Sequence, residues 1–335
     1  IRNPRLDETA RSLLAARAIG TEPEVLSCGE SEIAAGYPAL VISSESPVID
    51  TSSSAIHQLA GLVHSRGYKV ALSGEGADEA LAGYPWFKVN RGVSLLDRVG
   101  LGGPLRRIIF RAATPDAWQC QKRRYELMGG YHATSDLYAS CALSGYRVYS
   151  RAQREAMAGR TACDDLEINL QRMRCWDPLN RSLYLGYKVM LAGLLMTHKG
   201  DRPAMAHSVE TRFPFLDEDV VALCAAVSPR LKLRGWWRDK DLLRCFAGRF
   251  LPPAIADRPK HIFRARYSGS FLDPEPAWVS QLLSRESLAR TGYFRLHRPA
   301  LYDGVGMVGM ISTQLWHHLF LGGGLCELPM WSPPD

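Results

Sequence analysis

A compact β-run, Tyr68 to Leu72, leads directly into Ser73-Gly74-Glu75-Gly76-Ala77-Asp78-Glu79 and then into helix-forming residues from Ala80 onward. No other stretch constrains the chain as much. Two glycines let the backbone approach a ligand closely, and a helix N-terminus behind them offers free N–H groups to an anion. The preceding residues extend the pattern. Residues 7–19 carry Asp7 and Glu8 in a first turn, good helix formers after them and Gly20 as a stop. Glu24 to Ser27 reads as a short strand, and Ala55 to Arg66 as a helix ended by Gly67. Helix, turn, buried strand, Gly-rich turn, helix is the order of an open α/β sheet.

The acids of the turn set its chemistry. Glu75 and Asp78 would repel a bare phosphate, so they fit a phosphate site only if a metal ion lies between, or if one carboxylate acts on a reacting group. The alternative is a plain strand-to-helix turn in which Ser73 or Asp78 caps the helix.

Beyond about residue 95 helical periodicity prevails with little convincing strand, and prolines such as Pro104, Pro178 and the Pro252-Pro253 pair cut it into short helices. Within this part runs DRPAMAHSVETRFPFLD, from Asp201 to Asp217. Core packing accounts for Met205, Val209, Phe213, Phe215 and Leu216, but not for the charges among them. Glu210, Arg212 and Asp217 are expected to be structural, buried and held by charge-assisted bonds. Lys240 opens KDLLR and Lys260 sits in DRPKHIF. A lysine can bind phosphate as a point charge or stabilise charge developing at a reacting centre, although a lone lysine is usually surface.

With 335 residues, 46% of them hydrophobic, the chain is long enough for a sizeable core. Its eight cysteines include no C-x-x-C pair and read as reduced thiols. Residue 1 is isoleucine, so no N-terminal cysteine is present to hydrolyse glutamine. The longest apolar stretch, Leu183 to Met196, is interrupted by Lys188 and is too short for a bilayer. No signal pattern opens the chain, so the expectation is a cytoplasmic protein without membrane contact. The net charge of +7 is dispersed, which argues against nucleic acid and leaves ATP as an equally good polyanionic partner.

Taken together, these segments resemble the synthetase domain of the glutamine-hydrolysing asparagine synthetase family. The SGEGADE turn continues to Gly83-Tyr84 as in that family, DRPAMAHSVETRFPFLD matches its longest signature nearly throughout, and KDLLR and RPKHIF follow in the expected order. The resemblance implies part of an ATP-pyrophosphatase-type (adenine nucleotide alpha hydrolase-like) parallel sheet with helices, followed by a mainly helical part. Residues 1–95 would be what remains of the nucleotide-binding part, and residues 96–335 the mainly helical part of the same domain.

It also implies a two-step ligase reaction of asparagine biosynthesis. ATP adenylates a carboxylate, that of aspartate or another acid, and ammonia derived from glutamine attacks the acyl-adenylate. On the matching positions Asp78 would hold Mg2+, and Ser73, Gly74 and Gly76 would line the nucleotide site. Lys240 would contact the phosphates, and Lys260 would stabilise the adenylated intermediate. Glu75 would handle the proton of the attacking amine, and Asp201 and Arg202 would mark the substrate region.

The departures are specific. No S-G-G-x-D-S pyrophosphate loop (PP-loop) occurs in these residues, Leu194, Leu195 and Met196 stand where family members carry an acid, and Ala82 replaces a usual glycine. A partner chain or domain supplying the loop and the amidotransferase (glutaminase) activity is therefore expected, and the chain alone is expected to form acyl-adenylate poorly. Two other functions stay open: a non-catalytic relative with a binding or scaffold role, and a ligase forming a different amide by β-lactam formation or peptide cyclisation. Family members that form β-lactams tend to have tyrosine where this chain has Glu75.

Overall fold

Local chemistry starts and stops the first helices. In the computed structural model, which describes residues 1–4, 6–113, 118–157, 159–266, 269–297 and 304–329, helix α1 spans Thr9–Ala18. The Asp7 carboxylate accepts the Thr9 N–H at 2.9 Å at its start, and Gly20 follows with φ +72°. The strand expected at Glu24 to Ser27 does not form, and residues 21–29 are irregular. Pro23 lacks an N–H for a ladder, and the Glu24 carboxylate is engaged by Arg66 Nε at 2.9 Å.

The sequence reading has no helix next, yet α2 runs over Glu30–Ser44. Pro38 removes one of its hydrogen bonds, and tertiary packing offsets that cost: Tyr37, Leu40 and Val41 are fully buried. Helix α3 spans Ser52–Ser65 and stops before Gly67, at φ +80°.

Strand β1, Val70–Leu72, pairs in parallel with β2, Glu210–Arg212. The mainly helical second part thus contributes one strand to the sheet. A separate short antiparallel hairpin pairs β3, Leu233–Arg234, with β4, Arg238–Asp239. Helix α4, Ala77–Leu81, follows β1 and ends at Ala82, a non-glycine residue at φ +58°. The helical run expected from Ala80 onward is therefore broken after five residues, and its N-terminus sums few peptide dipoles. Residues 186–201 are wound as a π-helix that continues the helix Pro178–Leu185.

The largest core packs α2 against the helix Gly304–His317, with Tyr37, Leu40, Phe271, Trp278, Val308 and Ile311 at its centre. A second core of Ala82, Phe87, Leu183, Leu191 and Leu233 lies under the end of α4 and fixes it against the second part. The fold is α/β, mostly helical, with a small parallel sheet, as expected from the sequence.

The burial expected of Glu210, Arg212 and Asp217 is corrected. All three are exposed, although they are paired. Arg212 Nε lies 2.6 Å from Glu210 Oε1, and Asp217 Oδ1 accepts the Asp219 N–H at 3.0 Å as the cap of helix Glu218–Ala226. The period of two puts Glu210 and Arg212 on one face of a two-stranded sheet, a face that no helix covers completely. Among the described residues no helix is long and apolar enough to cross a membrane, no disulfide forms, and no group of three or more His, Cys, Asp or Glu is placed to hold a metal ion.

Candidate active site

The turn after β1 is built by backbone constraints. The Ser73 N–H donates to the Arg212 carbonyl at 2.8 Å, which fixes the strand's end. Gly76 sits at φ +92°, and a Cβ there would overlap Leu216 Cδ2, so both conformation and space require glycine. Gly76 itself is the helix cap, with no side-chain hydrogen bond. Neither Ser73 nor Asp78 caps α4, which removes the plain-turn alternative for those side chains.

Asp78 turns inward instead and is 8% exposed. Lys260 Nζ donates to its Oδ2 at 2.9 Å, and Lys240 Nζ lies 2.9 Å from its Oδ1. Lys240 is held by its own backbone, at φ +49°, with its N–H donating to the Leu81 carbonyl at 3.1 Å. Gly83 makes room for this pair: a Cβ at that position would overlap both Asp78 Oδ1 and Lys240 Cε. Lys260 lies 5.6 Å above the Tyr84 ring centroid, a cation–π contact that orients its stem.

Half-buried Glu75 shares the field of these groups. Burial pushes its carboxyl upward, Lys199 pulls it down, Asp78 pushes it up again, and Lys260 and Lys240 pull it down. The structure thus brings together Glu75, Asp78, Lys240 and Lys260, whose sequence positions fall in two groups far apart. Behind them Glu79 is fully buried, and burial pushes its carboxyl up to about 7, against the smaller downward pull of its own backbone N–H and of the Tyr84 hydroxyl.

Asp201 and Arg202 are not placed on this cluster. Asp201 Oδ1 accepts from Thr211 Oγ1 at 3.2 Å, and Arg202 binds the Ser44 carbonyl and Glu45 Oε2 at the end of α2.

Two residues were missed by the sequence reading. Lys199, its side chain only 8% exposed, pairs with Asp50 Oδ2 at 2.7 Å, donates to the Phe263 carbonyl at 3.2 Å, and is the largest cationic influence on Glu75. The available signal was a single lysine two positions before Asp201, just beyond the apolar stretch that ends at Met196. Asp50 lies in the stretch from Glu45 to Asp50, where its Oδ1 also accepts the Ser52 N–H at 3.0 Å.

The surroundings of Asp78 bear on whether it could hold magnesium. Its Oδ1 is buried without a properly directed hydrogen bond, even with Lys240 beside it. Magnesium is commonly held by one or two carboxylates together with substrate phosphates. A single carboxylate with an unsatisfied oxygen, flanked by two lysines able to turn toward phosphate, fits that pattern.

A sequence model of the asparagine synthase family matches residues 2–305, and the chain belongs to that family. Its similarity to individual curated proteins is lower. It is 27% identical over 327 residues to a putative glutamine-hydrolyzing asparagine synthetase of Mycobacterium tuberculosis, covering 92% of this chain and 48% of that protein. It is 25% identical over 324 residues to Amidase chyE of Penicillium rubens, covering 86% and 45%, and 24% identical over 254 residues to glutamine-hydrolyzing asparagine synthetase 1 of Bacillus subtilis, covering 76% and 39%. The chain spans less than half the length of each of these relatives.

Proposed function

We propose that this chain carries the amide-forming centre of an asparagine-synthetase-like ligase, in which ATP adenylates a carboxylate, of aspartate or another acid, for attack by ammonia. The observation that carries this reading is the buried Asp78 with a lysine ammonium 2.9 Å from each of its oxygens and Glu75 beside it. A carboxylate is a poor electrophile, and transfer of AMP gives it a leaving group. Ser73, Gly74 and Gly76 line the nucleotide, and Lys240 meets its phosphates. A magnesium ion on Asp78 would neutralise the departing pyrophosphate. Lys260 balances the charge that develops on the acyl phosphate oxygen. Glu75, its proton affinity raised by burial, takes a proton from the attacking ammonia. Asp201 and Arg202 border the substrate region by holding β2 and the end of α2. Residues 1–95, with β2 added from the second part, form the nucleotide-binding part, and residues 96–335 the mainly helical part. A further chain or domain supplies the pyrophosphate loop and the ammonia.

Oxygen transfer tests the reading. Aspartate labelled with 18O in its side-chain carboxylate is incubated with ATP, ammonia and the chain, alone and with a protein carrying an S-G-G-x-D-S loop. Label is expected in AMP, and Lys260→Ala is expected to lower its formation by about two orders of magnitude, the equivalent of roughly 3 kcal/mol of charge stabilisation. ATP consumption that leaves AMP unlabelled with every carboxylate tried sinks adenylation. Two of the relatives, chry2 of Gibberella zeae and chyE, are named amidases, so carboxylates other than aspartate belong in the series.

A further inference from the structure

A second cavity, of about 460 Å3, opens between the helices Trp118–Leu127, Ala133–Val148 and Gly304–His317. Its volume lies in the range of small-molecule sites. None of Glu75, Asp78, Lys240 and Lys260 lines it, although Ile49 on its wall directly precedes Asp50, the partner of Lys199.

Its charge is one-sided. Arg124 and Arg160 line it, and no aspartate or glutamate does. Arg160 is exposed, but Arg124 is 9% exposed. Among the described residues no carboxylate lies within ion-pair distance of Arg124, and its hydrogen-bond acceptors are the neutral Gln121 Oε1 and the Cys163 thiol. Gln121 is fixed in turn, its Nε2 donating to the Ala139 carbonyl at 3.2 Å, so the guanidinium is held in place rather than left to swing into solvent. A buried guanidinium has five N–H donors and is costly without a counter-charge. Every other fully buried arginine or lysine among the described residues has an acidic or amide oxygen partner beyond its own helix: Arg106 has Asp136 and Lys232 has Asn180.

Apart from Gln121, Thr313 and the tyrosine hydroxyls, the remaining walls are apolar. Tyr149 and Phe294 stack with centroids 6.0 Å apart and an interplanar angle of 21°, and Gly145 and Ala142 leave the space open. A single buried guanidinium matches one carboxylate bidentately, whereas a phosphate dianion would call for more donors. We propose that this cavity binds a small organic monocarboxylate with a flat apolar body, its carboxylate on Arg124 and its body against Tyr149 and Phe294. The site is independent of the ligase reading.

The probe is 2-naphthoate, compared with neutral 2-naphthamide, titrated into the whole chain by calorimetry. Naphthoate is expected to bind saturably and at least about tenfold more tightly than the amide, and Arg124→Gln is expected to remove that preference. Ala142→Trp, which fills the cavity, is expected to abolish binding of both. Circular dichroism and the melting temperature check that each variant is folded. Should Arg124→Gln not fold, the naphthoate-to-naphthamide ratio in the parent chain and the Ala142→Trp variant still decide. The proposal is overturned if naphthoate shows no saturable binding in the millimolar range, if the two probes bind equally, or if folded Arg124→Gln keeps the preference.

Discussion

Single side chains differ in how far the sequence exposes their role. That Glu75, Asp78, Lys240 and Lys260 belong to one cluster was legible because each sits in a short motif with its own chemical logic. Lys199 was not, because its partner Asp50 lies far away in sequence and only the fold unites them. His132 is a third kind, a buried histidine with no motif at all. Its Nδ1 accepts the Ser135 N–H at 3.2 Å and its Nε2 faces the Met128 carbonyl at 3.2 Å, an arrangement that one neutral tautomer satisfies. Burial pushes its pKa down to about 4 from 6.5. Between those values the unfolded chain binds a proton that the folded chain refuses. The full stability is therefore present above pH 6.5 and is lost as pH falls toward 4. His132→Asn, which keeps a capping acceptor without the titration, is expected to narrow the stability difference between pH 7 and pH 5 by about 2 kcal/mol, read from urea midpoints at the two values. An unchanged difference would remove His132 from the acid response.

At the scale of elements, the helices with clear caps and glycine stops were readable, and those whose stability comes from packing were not. Helix α2 contains Gly36 and Pro38, both unfavourable by propensity, and forms because Tyr37, Leu40 and Val41 are buried against the C-terminal helix. Strand β2 was hidden for a similar reason: three residues within a charged motif become a strand only when β1 lies beside them. Conversely, the expected strand at Glu24 to Ser27 had the pattern but no neighbouring edge. The turns on either side of α4 offer a direct comparison of two glycines. Gly83→Ala is expected to cost about 1–3 kcal/mol, because the added methyl must displace Asp78 or Lys240. Gly74→Ala, where nothing lies within 4 Å of the added Cβ, is expected to stay within about 0.5 kcal/mol. Equal denaturation midpoints for the two variants would show that the Asp78–Lys240 approach is not tight.

For the molecule as a whole, the sequence conveyed the α/β class, but not how little sheet it contains. Only two strands form the parallel sheet among the described residues, and Leu72 of β1 is 76% exposed, with Val70 at 48% and Tyr68 at 65%. An apolar strand at a free edge favours association. Leu72→Lys is expected to reduce concentration-dependent association in sedimentation velocity while leaving the unfolding midpoint within about 0.5 kcal/mol of the parent. Association that is insensitive to this change would place the sticky surface elsewhere. The same pairing also bears on time. Val70 meets Glu210 some 140 residues further along the chain. At about 5–20 residues per second, a ribosome delivers β1 on the order of ten seconds before the strand that completes it. Throughout that interval Asp78 has neither of its lysines, which emerge later still. The nascent chain passes through a period in which this carboxylate and the apolar strand before it are both without the partners they have in the folded chain, and a chaperone that shields residues 68–78 would act in that window.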